Sequence, residues 1–252
     1  MTVYVLGMGR ERIALISDIH GNAVALEAVL ADADRLGVNA IACLGDVATL
    51  GPAPREVLQR LRERCAWFIL GNHDEYMFAD DVDGSHVADP GVHAAVVWCR
   101  ASLSSDEVAM IRAFERRVDV DLGATRLALF HGSPRSNEED VLAETAEGML
   151  DDLLGAVDAA VMAGGHTHVP MVRRHRDRFV VNPGSVGLPF ERYVGGGPPR
   201  ILAAAEYAVV ETRGGDVSAT LRRVPVDRTA LRDAARAWSQ PLGGYLVAQY
   251  ST

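Results

Sequence analysis

The sequence predicts an α/β protein that folds as a single domain over residues 1–252. In the first third of the chain, short apolar runs alternate with helical patterns, which is typical of parallel strands joined by helical crossovers. The chain has 252 residues, of which 48% are hydrophobic, so it can bury a substantial core without a second domain. Residues 1–8 are expected to form a disordered N-terminal extension of this domain.

The predicted elements of the first half follow one another in a simple order. Apolar runs predict strands at "IALIS", "AIACLG" and "AWFILG", with helices near 22–36 and 54–64 between them. Residues 72–115 are expected to be mainly helical, with Pro90 in the first turn of one helix and "SLSSDEV" at the start of another.

From residue 117 onward, strands dominate the pattern. Strands are predicted at "VDVDL" and "RLALFH" around the turn "GAT", in "AVDAAVMAGG", and as a hairpin over "VPMVRRHRDRFVVNPGSV". Further strands are expected at 201–211 and 217–224, followed by a short helix near 227–238. Two sheets packed face to face between helices would accommodate these strands, but the pattern leaves their order open.

Charge and hydropathy narrow the classes of function. The net charge of −9 argues against binding of extended nucleic acid, because that affinity rests mostly on phosphate neutralisation by basic side chains. The net negative charge is still compatible with binding of a small phosphorylated substrate. No apolar run approaches the roughly 20 residues that cross a bilayer, and the N-terminus lacks signal-peptide features. We therefore expect a cytoplasmic protein without a membrane partner, and either a monomer or a homo-oligomer.

Metal-type side chains follow five of the predicted strands, at the point where each strand ends. In open α/β sheets the ligand crevice lies outside the carboxyl ends of the strands. Taken singly, each side chain is explained as well by a helix cap or a buried histidine. Together they predict a metal or catalytic site, because five of the eight histidines fall in these motifs. The residues concerned are Asp18, His20, Asp46, Asn72, His73, Asp74, His131, His166 and His168.

The donor types indicate which ions fit. Imidazole, carboxylate and amide oxygen without thiolate suit Mn, Fe, Zn, Co or Ni, and we expect Mn first. The set is too large for one four-coordinate ion, so two ions are predicted, about 3.5–4 Å apart as in other dinuclear phosphoryl-transfer sites. Gly45, Gly71 and Gly165 each precede one of these ligands, either to allow a tight turn beside the ions or as ordinary strand-to-loop turns.

The ordered motifs D-x-H, G-D, G-N-H-D, H and G-H-x-H over residues 18–168 resemble those of the calcineurin-like metallophosphoesterases. The resemblance implies a four-layer α/β/β/α sandwich of two mixed sheets flanked by helices. It also implies a dinuclear hydrolase that cleaves phosphate esters through a metal-bridging water or hydroxide. The catalytic residue it implies is His73, which would stabilise the phosphoryl charge or protonate the leaving oxygen. The implied ligands are Asp18, His20 and His168 for one ion, Asn72, His131 and His166 for the other, and Asp46 as the bridge.

The chain departs from one branch of this family. Its protein phosphatases carry G-D-x-x-D-R-G, whereas residues 45–52 read "GDVATLGP", without the second aspartate and the arginine. The compact length and "NPGSVG" at 182–187 look more like the small bacterial and archaeal phosphodiesterases. A phosphodiesterase is therefore expected. The alternatives are a phosphomonoesterase or protein phosphatase, a dinucleoside polyphosphate hydrolase, and a non-catalytic binding scaffold, which the complete ligand set disfavours.

The sequence says least about how the substrate is held. The predicted contacts are Asn72, His73, Arg135 and Tyr76, and residues 75–100 are expected to form a wall or lid. Tyr76 and Phe78 either stack on an aromatic group or pack in the core. The run "RRHRDR" at 173–178 either meets phosphate or forms a solvated hairpin tip. "NPGSVG" either brings Asn182 and backbone amides to the site or is a turn.

Overall fold

The computed structural model describes residues 3–6, 11–79 and 89–251. The strands are β1 (Val3–Leu6), β2 (Glu11–Ile16), β3 (Ala40–Cys43), β4 (Trp67–Phe68), β5 (Val118–Leu122), β6 (Thr125–Leu129), β7 (Val161–Ala163), β8 (Met171–His175), β9 (Arg178–Asn182), β10 (Ala204–Arg213) and β11 (Asp216–Pro225). The helices are α1 (Ala23–Leu36), α2 (Pro54–Arg64), α3 (Asn72–Glu75), α4 (Pro90–Ser102), α5 (Ser105–Arg112), α6 (Glu147–Leu154), α7 (Arg228–Ala237) and α8 (Pro241–Ser251).

The strands form two mixed sheets. The first sheet has the order β11–β10–β2–β3–β4, in which β2, β3 and β4 are parallel and β10 pairs antiparallel with both of its neighbours. The second has the order β1–β5–β6–β7–β9–β8, in which β5–β6 and β8–β9 are the antiparallel pairs. Helices flank the sheets, so the predicted fold class is confirmed.

The strand period of two distributes side chains between two cores. Along β2, Ile13 and Leu15 enter a cluster with residues of β5, β6 and β7, which fills the space between the sheets. Ala14 and Ile16 point the other way, into a cluster with α1, α2 and the C-terminal helices. A third cluster packs α6 against the outer face of the second sheet. Burial on both faces explains why β2 reads as a continuous apolar run.

Most of the predicted helices and strands are present in the structure. Three elements of the structure, α6, α8 and β1, were not predicted. The predicted strand "AWFILG" is reduced to the two residues of β4. β1 lies within the predicted N-terminal extension and pairs in parallel with β5. Residues 80–88, part of the predicted wall at 75–100, lie outside the described residues. Within the described ranges, no helix combines the length and apolar character needed to cross a bilayer.

The ends of five strands position the predicted ligands. Loops after β2, β3 and β4 of the first sheet carry Asp18 to Asn72, and loops after β6 and β7 of the second carry His131 to His168. The site therefore lies where the carboxyl ends of strands from two sheets meet, rather than along one sheet edge as the strand pattern predicted.

Candidate metal centre

Many of the predicted ligands adopt a left-handed backbone that side chains normally avoid. Among the described non-glycine residues, seven have positive φ, and five of these are predicted ligands. They are Asp18 (φ 54°), His20 (46°), Asp46 (55°), His166 (68°) and His168 (58°). Such conformations cost on the order of 1–3 kcal/mol each and cluster at functional sites. The loops hold this conformation through backbone hydrogen bonds, including Asp18 N–H to Gly45 O at 3.0 Å.

The first predicted ligand group converges on a small volume. The Nε2 atoms of His20 and His168 lie 3.1 Å apart. Asp18 Oδ1 lies 3.3 Å from His168 Nε2 and 3.9 Å from His20 Nε2. These three buried side chains present one ligand atom each within 4.8 Å of one another, which is the spacing of donors around a metal ion.

The second predicted group converges on the amide oxygen of Asn72. Asn72 Oδ1 lies 3.1 Å from His131 Nε2 and 3.1 Å from His166 Nδ1. Asp46 lies between this group and the first, because its Oδ2 is 3.5 Å from His131 Nε2 and 3.8 Å from His20 Nε2. The structure thus places Asp46 where a bridging carboxylate is expected. Asp18 also reaches both groups, since its Oδ1 lies 4.0 Å from His131 Nε2.

Hydrogen bonds at the far side of each imidazole orient the ligands. His131 Nδ1 contacts Leu44 O at 2.6 Å, and His168 Nδ1 contacts Leu188 O at 2.7 Å. A carbonyl only accepts, so Nδ1 carries a proton in each ring, and in the neutral form of the ring Nε2 is the atom that keeps a free lone pair. That lone pair points into the cluster, as metal coordination requires.

His166 is oriented by a carboxylate that the sequence did not single out. Its Nε2 lies 3.5 Å from Asp140 Oδ1, so Nδ1 is the atom turned toward Asn72. The hydroxyl of Tyr193 donates to the other oxygen of Asp140. A carboxylate behind a ligating histidine fixes its tautomer and ring orientation. Asp140 is the last residue of "HGSPRSNEED", the run that begins at His131. Nothing in that run distinguishes it from the acidic residues beside it.

One buried atom shows that the donors fit a cation. Asp18 Oδ1 is buried and has no hydrogen-bond partner among the described residues. It faces imidazole nitrogens whose lone pairs repel it when those rings are neutral. An unpaired buried carboxylate oxygen is costly, and a cation among the donors removes that cost. The donor set, of imidazoles, carboxylates and one amide oxygen, suits a first-row transition metal.

The pKa values of the clustered groups also indicate a site that attracts positive charge. Burial opposes the charge on Asp18, but His168 and then His131 lower the pKa of the Asp18 carboxyl to about 2. Burial disfavours the protonated form of His131, yet the Asp46 carboxylate raises the pKa of His131 to about 10. Burial and the neighbouring His168 lower the pKa of His20 to about 3. The two carboxylates therefore stay ionised and draw positive charge into the site.

One further buried residue, Asp74, holds two of the ligand loops together. Asp74 accepts hydrogen bonds from the backbone N–H groups of Asp46 (2.8 Å), Val47 (3.0 Å) and Gly71 (3.0 Å), so it ties the "GD" loop to the "GNHD" loop. Burial and the nearby Asp46 raise the pKa of Asp74 to about 7. The sequence placed Asp74 among the metal-type side chains, with a helix cap as the alternative explanation. Its cross-loop contacts depend on tertiary structure and leave no local signal.

"NPGSVG" supports the ligand loops and is not itself a ligand. Asn182 Nδ2 donates to Gly165 O at 2.6 Å, and Ser185 Oγ donates to Asp18 O at 2.7 Å. These bonds brace the backbone at Asp18 and at Gly165, which precedes His166. Thr49 acts similarly, because its hydroxyl lies 3.3 Å from His20 Nδ1.

His73 lies beside the ligands without joining them. Its ring contacts His20 edge-on at a centroid distance of 5.3 Å and Tyr76 at 5.1 Å. Its backbone N–H donates to Asp46 Oδ1 at 2.9 Å. Within the described residues, His73 Nδ1 has no hydrogen-bond partner, and burial lowers the pKa of the ring. Because the side chain also lines the cleft beside the ligands, His73 is placed to contact a substrate.

A cleft of about 250 Å³ opens onto the cluster. Its polar floor is formed by His20, Asp46, Asn72, His73, His166 and His168. Its walls are apolar, and they include Leu50, Val92, Leu188, Phe190, Ile201 and Leu246. Val92 belongs to α4, so the described part of the predicted wall at 75–100 does reach the cleft.

Other predicted substrate contacts lie elsewhere. Arg135 pairs with Glu139 at 2.8 Å and Asp152 at 3.0 Å and does not line the cleft. Phe78 packs against the core and beneath the Arg112 guanidinium, 4.7 Å from the ring centroid. Tyr76 touches His73 but is not part of the cleft wall. The run 173–178 forms the β8–β9 hairpin, where Arg176 pairs with Asp151 at 2.6 Å.

Comparison with known proteins gives the family. Residues 12–213 match the family model of the calcineurin-like phosphoesterase superfamily domain. The matched stretch covers most of the chain, so the protein belongs to this superfamily. The Asp and His groups described above could hold its metal ions.

Relatives share both the fold and the extent of the chain. An uncharacterized protein from Methanocaldococcus jannaschii, MJ0912, is 26% identical over 197 residues, which is 72% of this chain and 79% of that protein. The crystal structure of a metallophosphoesterase from Sphaerobacter thermophilus has a TM-score of 0.75 at 28% identity, covering 96% of this chain and 98% of the other. Protein PH1004 from Pyrococcus horikoshii OT3 has a TM-score of 0.78 at 18% identity, covering 94% and 96%.

Proposed function

We propose that the protein is a dinuclear metal-dependent phosphodiesterase that hydrolyses a small phosphate diester. The observation that carries the proposal is the convergence of two donor groups on the floor of a cleft. Asp18, His20 and His168 would hold one ion, and Asn72, His131 and His166 the other. Asp46 would bridge them, since its Oδ2 lies 3.5 Å from His131 Nε2 and 3.8 Å from His20 Nε2. Mn is the first candidate, with Fe, Zn, Co and Ni as alternatives.

The ions and the residues around them would have different roles in the reaction. When bound, two such ions supply an activated water nucleophile and neutralise charge on the phosphoryl oxygens. Leu44 O and Leu188 O fix the tautomers of His131 and His168. Asp74 and Asn182 hold the loops in place, so the donors are preorganised before substrate arrives.

His73 is the proposed catalytic residue. Its ring lines the cleft and lies beside the predicted ligand His20. An imidazole N–H there would donate to a phosphoryl oxygen or to the leaving oxygen as charge develops.

The charge of the cleft favours a diester over more highly charged substrates. Among the described residues that line it, none is arginine or lysine. Leu50 stands at the position of the arginine in the protein-phosphatase motif, and it forms part of the cleft wall. A diester carries one negative charge at neutral pH, whereas a monoester carries about two and a dinucleoside polyphosphate more. Those substrates would need cationic side chains beyond the metal ions.

Turnover of two model substrates tests this proposal. We expect hydrolysis of bis-p-nitrophenyl phosphate in Mn²⁺ that exceeds hydrolysis of p-nitrophenyl phosphate in kcat/KM and stops when a chelator is added. The Asp46→Asn variant, which loses the bridging carboxylate charge, should lose turnover of both. Faster cleavage of the monoester would make the protein a phosphomonoesterase. Turnover that survives the chelator would contradict metal dependence.

A further inference from the structure

The C-terminal helices bring an apolar surface to the cleft from outside the family domain. The family match ends at residue 213, whereas α7 and α8 cover Arg228–Ala237 and Pro241–Ser251. From α8, Leu242, Tyr245 and Leu246 line the cleft that holds the predicted ligands. One wall of the cleft is therefore built by residues beyond the stretch that the family model matches.

A second apolar part of the cleft lining reaches the metal ligands. The ring of Phe190 lies over His168 at a centroid distance of 4.2 Å with the planes inclined by 30°. Ile201 and Leu50 continue this surface around the cleft. When one atom of a ligand is held at the ions, the neighbouring atoms of that ligand would contact these apolar side chains.

The α8 wall is fixed in place before any ligand binds. The Tyr245 hydroxyl donates to Pro199 O, and Ile201 N–H donates to Gln249 Oε1 at 3.1 Å. Trp238, just before α8, packs edge-on against Trp98 of α4 at 5.5 Å. A preformed apolar cleft with a few polar groups on its floor is typical of a small-molecule site, because little entropy is lost when the ligand docks.

The size of the cleft suits one ring beside a phosphate. A cavity of about 150 Å³ holds a benzene molecule, and this cleft measures about 250 Å³. The cleft therefore has room for a ring of that size and for a further group beside it. Apolar walls without arginine or lysine among their described residues also disfavour a second charged group.

We propose that this apolar wall binds an aromatic ester group of the substrate, so that the protein selects phosphodiesters in which at least one ester group carries a ring. The proposal rests on the phosphodiesterase function argued above and specifies its substrate class. Leu242 and Phe190, which both line the cleft, would be the specificity-determining side chains.

Two diesters with the same leaving group provide the test. Phenyl p-nitrophenyl phosphate and methyl p-nitrophenyl phosphate both release p-nitrophenolate, so they differ mainly in the second ester group. We expect kcat/KM for the phenyl ester to exceed that for the methyl ester by about tenfold or more, the effect of filling an apolar pocket. Equal values in the wild type would overturn the aromatic-subsite proposal and leave the phosphodiesterase function standing. Absence of diester turnover would overturn both.

Two variants on α8 test whether Leu242 is responsible for the preference for the phenyl ester. Leu242→Ala should lower kcat/KM for the phenyl ester about fivefold or more while changing the methyl ester less than twofold. The matched control is Val247→Ala, on the same helix, where the side chain is half-buried but does not line the cleft. A Leu242→Ala variant that loses activity on both esters equally would contradict a role in specificity.

Binding gives a readout that does not depend on turnover. Diphenyl phosphate, which has poor leaving groups, should bind by calorimetry at least tenfold more tightly than dimethyl phosphate, and Leu242→Ala should reduce that ratio. Thymidine 5′-(p-nitrophenyl) phosphate then distinguishes two sources of the ring. A kcat/KM above that of the phenyl ester indicates a nucleobase, and a lower value that still exceeds the methyl ester indicates a simple aryl group. A nucleotide ester no better than the methyl ester, together with equal binding of the two phosphates, would overturn the proposal.

Discussion

Two glycines set how closely the ligand loops approach one another. A Cβ atom at Gly71 would lie 2.0 Å from Asp46 Oδ1, and one at Gly165 would lie 1.9 Å from Ser17 Oγ and 2.7 Å from Asp18 Oδ2. These separations are far below van der Waals contact, so a side chain at either position would displace a carboxylate ligand. These two glycines are therefore required for the close approach of the loops, whereas the φ of Gly71, −81°, is one that any residue adopts.

Gly71→Ala is expected to impair metal binding. The methyl group would push Asp46 out of its place between the two donor groups, so bound metal per chain should fall by half or more, measured by elemental analysis after dialysis. Gly148→Ala is the control, because a Cβ atom there has no neighbour within 4 Å and α6 should gain slightly in stability. Full metal content in Gly71→Ala would show that Asp46 is not needed as a ligand.

His73→Ala separates catalysis from metal binding. Since His73 contacts the cleft but is not a predicted ligand, we expect unchanged metal content and a loss in kcat of about 10²–10⁴-fold, the usual range for a general acid or base. His175→Ala serves as the matched control, because His175 lies in β8, where its ring contacts Asp151 of α6 and does not line the cleft. Wild-type turnover in the His73 variant would remove this residue from the mechanism.

At the scale of elements, Asp32 joins α1 to the first sheet. Its carboxylate accepts hydrogen bonds from Tyr207 Oη of β10 and Arg222 Nε of β11, both at 2.7 Å, and pairs with Arg35 at 2.9 Å. Arg222 and Tyr207 outweigh the effect of burial and lower the pKa of Asp32 from 3.8 to about 2. A carboxyl group with a lowered pKa stabilises the folded state in its ionised form.

This predicts a pH-dependent effect of Asp32→Asn. The stabilisation is present above pH 3.8, the ordinary pKa, and is lost as the pH falls toward 2. At about 1.4 kcal/mol per pKa unit, the variant should lose about 2 kcal/mol of unfolding free energy at pH 6. The difference from wild type should shrink as the pH falls from 4 to 2 in denaturant titrations. A difference that does not vary with pH would show that the Asp32 charge makes no contribution.

Local signals predicted the elements wherever capping agreed with periodicity. Helix α1 begins after Asn22, whose side chain accepts from Ala25 N–H, and α5 begins with the Ser104–Glu107 capping box. Helix α8 was missed because Gly243 and Gly244 disfavour a helix in isolation. In the structure, a Cβ atom at Gly243 would lie 2.4 Å from Trp238 O, so the glycine allows α8 to pack against the end of α7. Such a requirement appears only in the tertiary structure.

At the scale of the whole molecule, the candidate site joins the two sheets. Asp18, Asp46 and Asn72 come from loops of the first sheet, and His131 and His168 from loops of the second. Motif order along the chain was sufficient to predict this set. The cleft above it was not predictable, because its walls combine α4, the 188–201 loop and α8, which are distant in sequence and carry no motif. Ions bound at this junction would link the sheets and stabilise the fold.

Added Mn²⁺ should therefore raise the melting temperature of metal-free protein. A ligand at one hundred times its Kd adds about 2.7 kcal/mol, which corresponds to about 5–10 °C for a chain of this size. Scanning calorimetry with and without millimolar Mn²⁺ measures the shift, and Mg²⁺ at the same concentration controls for ionic strength. An unchanged melting temperature would contradict the coupling between metal binding and folding.

The central claim is that seven side chains from the loops of two sheets form one site for two ions. Calorimetric titration of chelator-treated protein with Mn²⁺ tests it most directly, with the Asp18→Asn variant measured in parallel. The wild type should take up two equivalents per chain, and the variant should lose at least one of them, because Asp18 Oδ1 lies within 4.0 Å of donors from both groups. No saturable uptake, or the same uptake in the variant as in the wild type, would contradict the claim.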